Sequence, residues 1–136
     1  MRIMAVDYGD ARTGIAVSDE TATLVGEAWV INEKTPEAVA RIIADEAAAR
    51  SVGVIVVGYP KNMNGTIGPR AEKSESIAEL IRGLCGAEVV LWDERMTTIS
   101  AHRILSDVGR HGKKRKNTID AVAASLILEG YLSSEH

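Results

Sequence analysis

Four acidic residues stand where apolar stretches end or begin. Asp7 closes one short apolar run, Asp93 and Glu94 close another, and Asp120 lies near the start of a third. A carboxylate at the border of a core is costly unless a positive charge or a hydrogen-bond network compensates it. A divalent cation is one solution. Mg²⁺ takes oxygen ligands, keeps several waters and is commonly held by one or two carboxylates together with substrate phosphates, which acids dispersed over three elements can supply. Ordinary roles are also open. Asp7 can accept hydrogen bonds in the turn that follows it. Asp120 falls at N3 if Asn117 caps the last helix, where a carboxylate answers the helix dipole and closes a capping box. Asp93 and Glu94 are neighbours in a strand-like segment, so their side chains take opposite faces and only one can share a site with Asp7. Arg95, directly after them, can pair with one of the two.

Gly9 and Gly14 are either turn and packing glycines or positions that let a phosphate or a second backbone approach Asp7. Lys61 and Arg70 flank a polar stretch that follows an apolar run, the usual place for a ligand in an open α/β sheet. With 16 basic and 19 acidic residues the net charge is −3, which as a total argues against binding a polyanion. The distribution argues otherwise: Arg110, Lys113, Lys114, Arg115 and Lys116, with His111, crowd into one short segment. Such a basic loop on an acidic body either meets a phosphate backbone locally or is simply solvated.

The elements that must position these residues alternate in type. Ile3 to Asp7, Thr13 to Ser18 and Leu24 to Ile31 read as three strands joined by short turns, an antiparallel meander. Thr35 and Pro36 open a helix with Val39, Ile42, Ile43 and Ala47 on its apolar face, ending near Ser51. Val52 to Gly58 is β-branched and nearly all apolar, the pattern of a central strand buried on both faces. Tyr59 to Arg70 is a loop, and a second helix runs from about Pro69 to Leu84. Glu88 to Asp93 is the fifth strand. A third helix follows, capped by Thr97 or Thr98 and closed by Gly109. A last helix runs from Asn117 or Thr118 to about Tyr131, apolar almost all round and so packed against a sheet. The order βββαβαβαα gives an α/β fold: a mixed five-stranded sheet, a meander continued by parallel strands, with helices on both faces.

At 136 residues the chain is expected to form one domain, 1–136, and 46% apolar against 26% charged residues is a globular balance. Its apolar runs are far shorter than the roughly 18 residues of a membrane span. The N-terminus lacks a secretory pattern, and the single cysteine, Cys85, excludes an internal disulfide, so a cytoplasmic setting is expected.

Four ordered blocks then resemble a known family. Asp7-Tyr8-Gly9, Arg12, Gly14, Ala16 and Asp19 match its N-terminal motif. Gly58, Pro60, Asn62-Met63, Gly65-Thr66 and Ala71 match its central loop, and Asp93-Glu94-Arg95, Thr97-Thr98, Ala101 and Leu105 its third block. Ile119-Asp120, Ala123-Ala124, Ile127-Leu128 and Tyr131-Leu132 match its last. The chain resembles the YqgF family, also called RuvX, essentially end to end. It departs at Ile77, where relatives often carry phenylalanine; this chain has none.

The resemblance implies an RNase H-like fold and a metal-dependent nuclease. The activity would be either trimming the 5′ end of precursor 16S rRNA in ribosome biogenesis or resolving Holliday junctions in branched DNA. It implies catalytic acids Asp7, Glu94 and Asp120, with metal ligands among Asp7, Asp93, Glu94 and Asp120. Two Mg²⁺ or Mn²⁺ ions about 3.5–4 Å apart would serve phosphodiester hydrolysis. Arg12, Lys61, Arg70, Arg110, Lys113, Lys114, Arg115 and Lys116 would contact phosphates. His102, His111 and His136 have no evident catalytic placement, and two tryptophans and three tyrosines offer no evident row of stacking aromatics, so shape is expected to set substrate choice. The expected partner is nucleic acid rather than a membrane, with the protein a monomer or homodimer. Two competing readings are half of an actin-like ATPase and a non-catalytic RNA-binding module.

Overall fold

The runs Ile3–Val6 and Val54–Val57 are buried without alternation because both strands lie inside the sheet and are covered on both faces. The computed structural model describes residues 1–96 and 112–134. Strands β1 (Arg2–Asp7), β2 (Thr13–Ser18) and β3 (Val25–Ile31) form the meander, followed by helix α1 (Pro36–Ala49) and strand β4 (Val52–Tyr59). Helix α2 (Pro69–Arg82), strand β5 (Glu88–Asp93), a 3₁₀ turn at Glu94–Met96 and helix α3 (Gly112–Ser134) complete it. The sheet order is β3-β2-β1-β4-β5, with β1 antiparallel to β2 and parallel to β4, and β4 parallel to β5. The mixed five-stranded sheet expected from the sequence is the one observed.

Alternation sorts the core into two layers. Met4 and Val6 of β1 join Ile15, Ile55, Val57 and the apolar faces of α1 and α2 on one side. Ile3 and Ala5 join Ala16, Val54, Val56 and Ala124, Ile127, Leu128 and Leu132 of α3 on the other. Asp7, two residues beyond Ala5, therefore belongs to the α3 side, and Tyr8 to the side of α1 and α2. In β5, Val89 packs with the first layer while Val90 and Trp92 pack with the second.

The last helix differs from expectation. It begins at Gly112 rather than Asn117 or Thr118, so the basic segment from Lys113 to Lys116 is the opening of a helix and not a loop. Asp120 is thereby two turns inside α3, and its reading as a capping residue at N3 fails: its own backbone donor is already in the helical ladder. The start of β3 shifts from Leu24 to Val25 because the Asp19 carboxylate accepts from the backbone N–H groups of Thr23 (2.9 Å) and Leu24 (3.3 Å), closing the turn. The helix expected between Thr97 and Gly109 lies outside the described residues, as does Arg110. Among the described residues no helix is long and apolar enough to cross a membrane.

Candidate active site

Asp7 ends β1 at the centre of the sheet, where the chain must turn away and leave room at the strand ends. The β4–β5 register pairs Gly58 with Trp92, and Val57 pairs with Val6 of β1 on the opposite side. The α3 face of β1 is thus continued by Gly58 and Trp92, and Glu94 follows in the same phase. Gly58 leaves the space between the two acids: a Cβ there would lie 3.0 Å from Glu94 Oε2 and 2.7 Å from Ile127 Cδ1. Asp120 arrives from the other side. The backbones of β2 and α3 meet so closely that a Cβ on Gly14 would fall 2.0 Å from the Asp120 carbonyl oxygen.

The electrostatics record this convergence. Burial, then the charges of Glu94 and Asp120, push the Asp7 carboxyl up to about 7, with the Arg70 guanidinium acting in the other direction. Glu94 is also raised, chiefly by burial, against the opposing pull of Arg70. Asp93 is lowered, because Arg95 grips it: the guanidinium donates from Nε to both carboxylate oxygens at 3.0 Å and from Nη2 to Oδ2 at 2.6 Å. The Arg95 backbone N–H donates to Asp93 Oδ1 at 3.0 Å as well. Of the adjacent acids it is therefore Glu94 that faces Asp7, while Asp93 is spoken for by Arg95.

The basic residues divide in the same way. Arg70, in the first turn of α2, bears on Asp7 and Glu94. Arg12 Nε donates to Asp120 Oδ2 at 2.8 Å, the partner that Asp120 needs so far inside a helix. Lys61 stands 5.6 Å from the Tyr59 ring centroid and helps to hold the Asp93 carboxyl down. With Asp120 turned to Arg12, no group of three acidic, histidine or cysteine side chains among the described residues is arranged to hold a metal ion as placed. The role of Gly58 as the gap between acids was not evident from composition or spacing; only the strand register reveals it.

A protein-family model described as RuvX: Holliday junction resolvase matches residues 1–134. The chain belongs to the RuvX family. Among its RuvX-like relatives is one from Halothermothrix orenii named "Putative pre-16S rRNA nuclease", 43% identical over 136 residues that cover 100% of this chain and 97% of that one. A relative from Bacillus mycoides with the same name is 45% identical over 137 residues, covering 99% and 100%. Among solved structures, Thermus thermophilus RuvC in complex with a Holliday junction substrate superposes with a TM-score of 0.65 at 10% identity, over 99% of this chain and 96% of that one. A fowlpox virus resolvase bound to Holliday junction DNA gives 0.59 at 17%, covering 99% of each. These two likenesses are of fold, and the RuvX chain has the RNase H-like architecture.

Proposed function

We propose that this RuvX-family chain is a divalent-metal-dependent nuclease that hydrolyses phosphodiester bonds in structured nucleic acid, with the 5′ end of precursor 16S rRNA as its substrate. The observation that supports the reading is the buried Asp7 carboxyl at the end of the central strand, raised by the nearby charges of Glu94 and Asp120, which come from two other elements. The full-length relatives named for precursor 16S rRNA support the substrate. Resolution of four-way DNA junctions is the second reading, favoured by the family description.

The donor set suits Mg²⁺ or Mn²⁺: all three groups are carboxylates, and Asp7 is partly buried beside like charges that raise its proton affinity, a strain that a cation relieves. Asp7, Glu94 and Asp120 would hold the metal, a pair of ions in our reading. Asp93 would not, being occupied by Arg95. When bound, such ions make water nucleophilic and stabilise the leaving oxygen. The chain's own residues do the rest. Arg70 places a positive charge beside the acids, where it would attract the anionic phosphate of a substrate. Arg12, which donates from Nε to Asp120, would bring its guanidinium close to the same acids for a phosphate oxygen. Lys61 and the basic opening of α3 add phosphate contacts that carry affinity without base identity.

The test compares a precursor rRNA 5′ end and a four-way junction, with Mg²⁺ or Mn²⁺, for the wild type and Asp7→Asn. Cleavage of the rRNA by the wild type alone is expected. Preferential cutting of the junction would transfer the reading to DNA, and cutting of neither would overturn it.

A further inference from the structure

A cleft of about 400 Å³ opens on the opposite side of the same strand end, walled by Tyr8, Pro36 and Pro69 and edged by Lys34, Lys73 and Asp10. We infer that it receives an unstacked nucleobase of the substrate strand, next to the cleaved phosphodiester. This deepens the nuclease reading and rests on it. Two pairs of consecutive residues join the cleft to the acids: Asp7 belongs to the site and Tyr8 to the cleft, Arg70 to the site and Pro69 to the cleft. Asp7 and Tyr8 take opposite faces but both lie at the end of β1, so a strand passing over that sheet end with its phosphate at Asp7 can turn its neighbouring base toward Tyr8.

The lining fits a base better than a free ion or a peptide. Its walls are a partly buried tyrosine ring and two proline rings, flat apolar surfaces of the kind on which a base stacks, at little entropic cost. Its lining also carries two acids, Asp10 and Glu72, and two lysines, Lys34 and Lys73. Asp10 accepts from Lys73 Nζ at 2.8 Å in an exposed pair that can open, offering the carboxylate to an exocyclic amine and the ammonium to a phosphate. A paired duplex keeps its bases stacked, so only a splayed strand can use the cleft. Few aromatics are needed for this: one tyrosine, placed by alternation directly behind Asp7, suffices.

The full chain is assayed with Mn²⁺ on the precursor rRNA end, intact or with single abasic replacements around the cleaved bond. Parallel substrates carry 2-aminopurine at the same positions, read by fluorescence on binding without any need for cleavage. Tyr8→Leu removes the ring, Tyr8→Phe keeps it, and Ser76→Phe fills the cleft from an exposed position of α2 should Tyr8→Leu fail to fold. The abasic replacement adjacent to the cut is expected to slow the wild type roughly tenfold. Tyr8→Leu and Ser76→Phe should slow cutting of the intact RNA as much and add nothing on the abasic one, with Tyr8→Phe like the wild type. Indifference of the wild type to every abasic position, or multiplying effects of Tyr8→Leu and the abasic site, overturns the inference. If no RNA is cut, the nuclease reading fails by itself. Quenching of 2-aminopurine that is lost in Tyr8→Leu then still supports the base pocket, and absence of quenching at all positions ends it.

Discussion

At the scale of single residues, Asp7 carries a free-energy conflict that can be measured. Its carboxyl sits at about 7 in the folded chain against 3.8 as the ordinary value, so between those values the folded state binds more protons than the unfolded one. Stability of the metal-free protein should therefore fall as pH rises from about 4 to 7, and Glu94 contributes in the same direction. Thermal melts of metal-free protein across that range should show the fall, and Asp7→Asn should flatten it. At pH 7.5 that variant is expected to be more stable than the wild type by roughly 1–3 kcal/mol, since about 1.4 kcal/mol accompanies each tenfold difference in proton affinity between the folded and unfolded chain, and partial exposure reduces the total. The same substitution should lower cleavage by about a hundredfold or more, since even residues supporting a metal ligand typically cost 10–100-fold. Gain of stability with loss of turnover separates a functional acid from a structural one. Because protons and cations compete for Asp7, raising Mn²⁺ should move the acid limb of the pH–rate profile to lower pH; an immobile limb would place the titration elsewhere.

At the scale of elements, two glycines let strands and helix bring the acids together, and their substitutions should differ in kind. Gly14→Ala sets a Cβ against backbone, 2.0 Å from the Asp120 carbonyl oxygen, so α3 must move away from β2. A loss of about 3 kcal/mol in chemical denaturation is expected, together with most cleavage. Gly58→Ala meets only side-chain ends, Ile127 Cδ1 and Glu94 Oε2, which can shift. Its stability cost should be about 1 kcal/mol, while displacement of Glu94 should reduce cleavage far more than stability. Equal proportional losses in both variants would mean that the acids tolerate misplacement. Arg95→Ala gives a milder contrast: its pair with Asp93 is exposed to solvent, so little stability should be lost in chemical denaturation.

At the scale of the whole molecule, an acidic chain binds a polyanion only if its positive charge is local, and the segment Lys113 to Lys116 supplies that at the opening of α3. Alanine at all four should flatten the salt dependence of binding. An unchanged slope in filter binding would return the segment to a solvated role. The sheet and its layers were legible in the sequence because burial on one face or two imposes a pattern on every strand, as in the unbroken run Val54–Val57. The acids were legible as candidates because carboxylates at the ends of apolar runs are costly anywhere. Which acids act together came from the family resemblance and not from spacing. Adjacent Asp93 and Glu94 look alike along the chain, and in the fold the pairing of β5 with β4 sets the phase that turns Glu94 toward Asp7. Asp120 likewise had a local explanation at a helix start, which vanished when the helix proved longer and Arg12, more than a hundred residues away, proved to be its partner. Local pattern follows from short-range sterics and burial, whereas charge proximity between distant segments depends on strand register and helix docking, which the folded chain alone decides.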